Sequence, residues 1–595
     1  RSHSRAVIEL RREARMLSNE SLRPPMFSRS NSQASVDSTS MEDFWCEVES
    51  IKENSEQGQE EQTLLEVKPA DEGELEAEWL QDVGLSTLIS GAEEEDGQAL
   101  LSTLTRTQAA AVQRRYNTYT QTMRKKNKHT VRDVRDIFGV NDSSVSGKYL
   151  SPLFPANSCL DCGLDKDSPS VTEELSYEVS FSESITVVPK NRERHNNQRF
   201  KKDDSALPKF IVRKSQFGLT EVGDLSLEDM KKIRNLSLIE LTAFYDALGI
   251  ELKRNRTERI KGRENGLFGV PLAILLENDQ KKVPGIKVPL IFQKLLLKLE
   301  ETGLETEGIL RVPGSASRVK NLRQEIEIKF NEDTFDWDQV RNNDAAGLLK
   351  MFIRELPSPL FTVEYLPAFI TLVKLQLQAL HLLIMLLPDA NRDTAKAFLQ
   401  FLKKIVANEG KNKMNLWNVS MIVAPNVFIY KGKHANQEEM QAAATTAHIV
   451  RLLIKYQDIL WTVIPIFVFL GFRAEYSSHT ETRKHAAISA WNTQLTMVKL
   501  ISTHIPEGVI RVYAPLHSKV SMAIQLNSQT KARDILARFH CENSHASSKN
   551  TEVQIQRLYE IGGNIGLHCL DPDAYMLDVY RANPQAEWVI KPKSS

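Results

Sequence analysis

The chain has 595 residues, with 76 Lys+Arg against 77 Asp+Glu and five cysteines. A chain of that length calls for several domains, because one core seldom grows past roughly 250–300 residues. The even charge balance argues against a protein devoted to nucleic acid, and so few cysteines exclude a disulfide scaffold and fit a reducing, cytoplasmic setting. No stretch reaches the roughly 20 apolar residues of a transmembrane helix. The opening Arg1-Ser2-His3-Ser4-Arg5 is neither an initiator methionine nor a signal peptide, and reads as the start of a piece or alternative product of something longer.

Residues 1–205 are rich in Ser, Glu, Gln, Asn and Lys and poor in sustained periodicity, which predicts a largely disordered regulatory region. Within it, serines follow an arginine in Ser28-Arg29-Ser30-Asn31-Ser32-Gln33-Ala34-Ser35 at the spacing basophilic kinases use, a pattern a plain Ser-rich tail also shows. Near 106–136, Val112, Tyr116, Tyr119 and Met123 recur at helical spacing beside Arg114, Arg115, Arg124, Lys125, Lys126 and Lys128. Such a basic amphipathic helix can dock on anionic lipid, on an acidic or cytoskeletal partner, or on its own chain's Glu93-Glu94-Glu95-Asp96; it can equally be a solvated helix with a small apolar stripe. Cys159 and Cys162 form one CxxC without a second pair, too few ligands for a closed zinc site, and no metal site is expected.

Residues 225–265 read as a helical lead-in, dense in Leu236, Leu238, Ile239, Leu241, Phe244, Tyr245 and Leu248, followed by a basic linker. From 268 to 465, helix-period segments alternate with Pro and Gly and predict an all-α domain. The longest apolar run, Ile459 to Phe472, is broken by Pro465 and reads as a helix end and a buried connection, with a linker over 466–505. Residues 506–595 change period: strands at Val509–Tyr513 and Val520–Leu526, a helix through Ile535, Leu536 and Phe539, a turn at Gly562-Gly563-Asn564, and a closing strand near Glu587. That order predicts a small α+β domain of the ubiquitin-like β-grasp type.

Three segments of the helical domain carry candidate chemistry. In the first, Pro289 opens a helical run that Gly303 can close, and Ser315 or Ser317 can cap the next helix. Between them Gly308, Pro313 and Gly314 fix a short exposed turn bearing Arg311, whose charge is permanent. In the second, Pro357 and Pro359 end a helix on which Lys350 and Arg354 stand four residues apart; two cations on one face need an anion nearby, from a partner surface or from Glu355 and neighbouring carboxylates. In the third, Pro425 interrupts an apolar helix and leaves the Asn426 amide free to bond outward. Taken singly, these are a surface arginine, a solvated helix face and a helix-terminal cap.

Together and in order they resemble the Rho GTPase-activating proteins. The resemblance rests on Phe268-Gly269-Val270-Pro271-Leu272, on Thr306 to Gly314, on Leu349 to Leu360 and on Ala424-Pro425-Asn426, and spans residues 268–465. Asn412-Lys413-Met414-Asn415 and Tyr559 to Gly566 look like a subgroup with a long N-terminal region. The stretch from Ile464 to about 505 and the connection Phe369 to Leu380 depart from the family pattern.

The resemblance implies an enzyme activator rather than an enzyme, whose partners are Rho-family small GTPases in the GTP-bound state. Arg311 would be an arginine finger, Lys350 would contact the GTPase switch surface, Arg354 would brace the finger loop and interface, and Asn426 would hydrogen-bond to the G domain. No cofactor is expected of the chain itself, since the GTPase carries GTP and magnesium, and no GxxxxGK[ST] occurs in the sequence. The subgroup implies RhoA as substrate and a cytoplasmic regulator of actin signalling, recruited to membrane or cytoskeleton. Alternatives are a non-catalytic GTPase-binding scaffold and a membrane or cytoskeletal adaptor centred on residues 106–136.

Overall fold

A computed structural model describes residues 43–51, 71–90, 101, 104–129, 172–175, 180–185, 207–212, 217–250, 265–361, 373–428, 437–463, 508–517, 520–543, 555–563 and 565–592. The serines at 28–35, the acidic run 93–96, the CxxC pair, the basic linker 251–264 and the segment 464–507 lie outside the described residues. Helices dominate. Within the first 205 residues they include α1 (residues 43–51), α2 (Glu72–Asp82) and α3 (Arg106–His129), with a short turn of helix at Thr87–Ser90.

The predicted lead-in helix is α4 (Leu227–Leu248). Its start is fixed by the Ser226 hydroxyl accepting from the Asp229 N–H, and its end by Gly249 in the left-handed region at φ 70°. Its second half, from Leu236 to Tyr245, is buried on more than one face because it has neighbours on both sides. Ile233, Leu236, Leu241, Phe244 and Tyr245 join the main core, whereas Ile239 packs with Trp79, Leu80, Val83 and Leu85 around α2 and with Val112 of α3. Polar contacts fasten the same interface: Arg115 donates twice to Asp246, at 2.6 and 3.1 Å, and Gln108 donates to the buried Glu240 at 2.6 Å. Burial pushes the Glu240 carboxyl up, against the hydrogen bonds it accepts from the Ser182 N–H, Gln108 and the Ser182 hydroxyl. The apolar stripe of the basic helix is thus partly consumed inside its own chain, on α4.

The central domain is built from α5 (Leu272–Gln280), α6 (Leu290–Thr302), α7 (Ala316–Lys329), α8 (Asn342–Arg354), α9 (Val373–Leu386), α10 (Asp389–Ala407), α11 (Leu416–Val427) and α12 (Gln437–Lys455). α8 lies between α6 and α11, and α11 packs on α12. Phe352 of α8 meets Phe292 and Phe268 with ring centroids 5.5 and 5.8 Å apart, which anchors the helix carrying Lys350 and Arg354. One expectation is corrected. Pro425 does not interrupt α11, which runs through it to Val427. The proline removes one helical bond, the one its N–H would have given the Met421 carbonyl, while burial of the residues around it keeps the last turn in place. Ahead of the lead-in helix, β1 (Thr172–Leu175) pairs in parallel with β2 (Lys209–Val212). After α12 the chain returns to the lead-in, where β3 (Thr220–Glu221) pairs antiparallel with β4 (Thr462–Val463).

The C-terminal residues form a five-stranded sheet in the order β6 (Ser521–Gln525), β5 (Val509–Tyr513), β9 (Glu587–Pro592), β7 (Gln556–Ile561), β8 (Leu567–Cys569). β5 and β9 are parallel and the other pairs antiparallel, the arrangement a β-grasp requires. α13 (Ala532–Asn543) covers one face with Ile535, Leu536 and Phe539. β9, predicted to close the sheet, sits at its centre. This domain is seated on α4: Asp229 accepts from the Gly566 and Leu567 N–H groups at 2.7 and 3.2 Å, His568 bonds Thr220 at 2.8 Å, and Ile565 enters the main core.

Candidate functional site

The Arg311 turn joins α6 to α7. Gly308 at φ 70° and Leu310 at φ 68° are both left-handed, a conformation that costs a leucine about 1–3 kcal/mol and persists only where surroundings enforce it. Here they do. Leu310 is buried as an anchor, the Gly308 N–H donates to the Asn412 carbonyl at 2.8 Å, and the Arg311 and Val312 N–H groups both return to the Gly308 carbonyl. Asn412 is itself fixed by donating to the Leu304 and Ile405 carbonyls at 2.8 Å. Asn342, at the start of α8, ties the near side of the turn by donating to the Thr302 carbonyl and the Thr306 hydroxyl at 2.8 and 2.9 Å.

The far side is equally tight. At Gly314 a Cβ would meet the Asn343 carbonyl and the Asp344 Cα at 2.9 Å, so only glycine lets the turn lie on α8. Asp344, buried, then accepts from the Ser315 N–H and from Arg318. The backbone on both sides of Arg311 is therefore held, while its side chain keeps 37% exposure. A rigid turn presenting a permanent cation is what a site acting on another molecule needs.

Lys350 and Asn426 converge on the same place. Lys350 Nζ donates to the Leu310 carbonyl at 3.0 Å, so at this end of α8 it is Lys350 that bonds the finger turn. Burial lowers the Lys350 ammonium below its usual range, and the Glu47 carboxylate opposes that shift. Arg354, one turn on, is likewise pushed down by burial and supported by Glu47 and Glu355, the latter also accepting from Arg323 at 2.8 Å. Asn426 donates to the Ile422 carbonyl at 2.9 Å and, among the described residues, its buried Oδ1 has no partner.

The anion that the two cations of α8 require comes from 303 residues away. Glu47 of α1 receives Lys350 Nζ at 2.5 Å and Asn426 Nδ2 at 3.1 Å, so the Asn426 amide bonds back into its own chain. Asp43, one turn earlier, stands 3.9 Å from Arg311. Phe44 and Val48, on the same side of α1, are buried in the main core. Each such burial contributes about 1.5–3 kcal/mol before the entropy of ordering is set against it. Sequence reasoning missed Asp43 and Glu47. The available signal was a pair of acids four residues apart, interleaved with Phe44 and Val48, in an otherwise polar stretch.

Human Rho GTPase-activating protein 28 is 53% identical over 689 aligned positions, which cover 99% of this chain and 94% of the relative. The chain belongs to the Rho GTPase-activating proteins. Human Rho GTPase-activating proteins 18 and 40 are 48% and 41% identical, covering 96% and 93% of this chain and 91% and 88% of the relatives. The RhoGAP domain model matches residues 289–432, which contain Arg311, Lys350, Arg354 and Asn426. An N-terminal SAM domain of the Rho GTPase-activating protein 18-like type matches residues 54–127, taking in α2 and most of α3. A C-terminal ubiquitin-like domain of the RHG40-like type matches residues 509–593, in accord with the observed sheet. As a Rho GTPase-activating protein, the chain has Rho-family GTPases as its partners.

Proposed function

We propose that this chain accelerates GTP hydrolysis by a Rho-type GTPase, with RhoA as the preferred substrate, by inserting Arg311 into the partner's nucleotide site. The GTPase supplies phosphate loop, magnesium and attacking water, but is short of positive charge where the transferred phosphoryl group becomes more negative. An arginine supplied in trans stabilises that charge and speeds hydrolysis by ~10³ to 10⁵, or about 4–7 kcal/mol of barrier. The supporting observation is the Arg311 turn: a backbone bonded on both sides, with a partly exposed arginine side chain at its tip. The planar fork of arginine spans two oxygens, so lysine would substitute poorly. In this reading Lys350 and Arg354 meet acidic groups of the switch surface, and Asn426 donates to the G domain while its Oδ1, unpartnered among the described residues, accepts from it.

The test is single-turnover hydrolysis by GTP-loaded RhoA, Rac-type and Cdc-type GTPases with catalytic amounts of the full chain. Acceleration strongest with RhoA and lost in Arg311→Ala is expected. Binding without acceleration across the panel would instead make the chain a scaffold.

A further inference from the structure

The residues that would receive the GTPase are already engaged, by α1 of the same chain. Its helical repeat puts Asp43, Phe44, Glu47 and Val48 on one side, at positions one turn apart. The carboxylates take the polar groups of the site: Glu47 bonds Lys350 at 2.5 Å and Asn426 at 3.1 Å, and Asp43 pairs with Arg311 at 3.9 Å. The two apolar side chains enter the core beneath. Residues 43–51 contain three acids, Asp43, Glu47 and Glu49, and no base, so the segment complements a cationic face. Glu49 is exposed and faces away, which leaves the two inward acids to make the contact.

We propose that α1 is an internal inhibitor, occupying with Asp43 and Glu47 the groups that a Rho-type GTPase must contact, so that the segment has to leave before the partner can dock. The inference rests on the activator reading above and adds its regulation. Lys350 and Asn426 are buried under α1 and cannot meet a second protein while Glu47 is in place. The finger itself is held more loosely, at ion-pair distance with more than a third of its side chain exposed. The inhibitor therefore acts by blocking docking more than by locking Arg311. A closed segment lowers the apparent affinity for the partner by the fraction of molecules that are open.

The test uses the full chain. Phe44→Ala with Val48→Ala removes the two apolar anchors without touching a charged group of the site, and Glu47→Ala is the independent second variant. In single-turnover hydrolysis by GTP-loaded RhoA, the double variant is expected to reach half-maximal acceleration at a concentration about tenfold lower than wild type. Glu47→Ala should shift in the same direction. Hydrogen exchange across residues 43–51 should rise when RhoA bearing a non-hydrolysable GTP analogue is added. Wild type and both variants accelerating alike, with exchange unchanged on binding, would overturn the inhibitor while leaving the activator intact. If no chain accelerates hydrolysis, the activator reading falls and the inhibitor with it.

Discussion

Two segments from opposite ends of the sequence are seated on the helical body, one on the lead-in helix α4 and one on the central helices, and they are attached in different ways. The C-terminal sheet domain is fastened through backbone: Asp229 accepts from the Gly566 and Leu567 N–H groups, and the Leu219 N–H donates to Asp571 at 3.1 Å. Its buried polar chain runs from Thr220 through His568 and Glu560 to Asn583. None of these groups has an alternative partner in the proposed mechanism, so separating the domain would leave buried donors and acceptors unpaired. The helix α1 is fastened through side chains whose partners, Lys350, Asn426 and Arg311, have a second proposed use on a GTPase. A contact made of groups with two possible partners can switch; one made of groups with a single partner serves as scaffold.

Among single substitutions, the largest stability effect should come from breaking the scaffold side. Asp229→Ala removes the acceptor for two backbone N–H groups and a partner of the Ser226 cap, and should destabilise the chain by about 2–4 kcal/mol. Thermal unfolding and limited proteolysis of residues 508–592 would read this, with acceleration of GTP hydrolysis retained. Gly314→Ala should cost about 1–3 kcal/mol by pushing the turn off α8, and should also weaken acceleration because Arg311 shifts with it. If Gly314→Ala changes neither melting temperature nor activity, the turn is less rigid than described.

Acid acts on the central helices in a defined window. His381 and His448 are buried, and burial lowers each to about 4 from an ordinary 6.5; the carbonyl contact of His381 with Thr462 partly opposes this, whereas Arg451 adds to the lowering of His448. The unfolded chain then binds more protons than the folded one between those values, so their contribution is fully present above pH 6.5 and is lost as pH falls toward 4. The loss should be of order 3 kcal/mol for each imidazole. Denaturant melts of wild type and His381→Gln at neutral and mildly acid pH would check it: the variant should show the shallower pH dependence. The smallest effect belongs to α1. Phe44→Ala should lower the global melting temperature little, because a nine-residue segment can open locally while the core remains folded.

Much of the site was legible in the sequence because it depends on local chemistry. Gly308, Pro313 and Gly314 dictate a turn whatever surrounds them, the prolines at 357 and 359 stop α8, and Lys350 and Arg354 demanded an anion by their spacing alone. The identity of that anion was hidden, because Glu47 reaches Lys350 through a tertiary contact that no periodicity encodes. Pro425 misled for the complementary reason: packing overrides a local helix breaker in the final turn. In the sheet domain the change from alternating to helical period gave the order of elements. The central position of β9 depends on a parallel pairing with β5 across more than seventy residues, which sequence order leaves open.

The central claim is that Arg311 completes a site belonging to another protein. Binding of the full chain to RhoA carrying GDP and aluminium fluoride, which mimics the phosphoryl group in transfer, tests it most directly. The account predicts a complex that requires fluoride and is lost in Arg311→Ala, while Arg311→Ala still binds RhoA with a non-hydrolysable GTP analogue. A fluoride-dependent complex of equal affinity with and without Arg311 would contradict it.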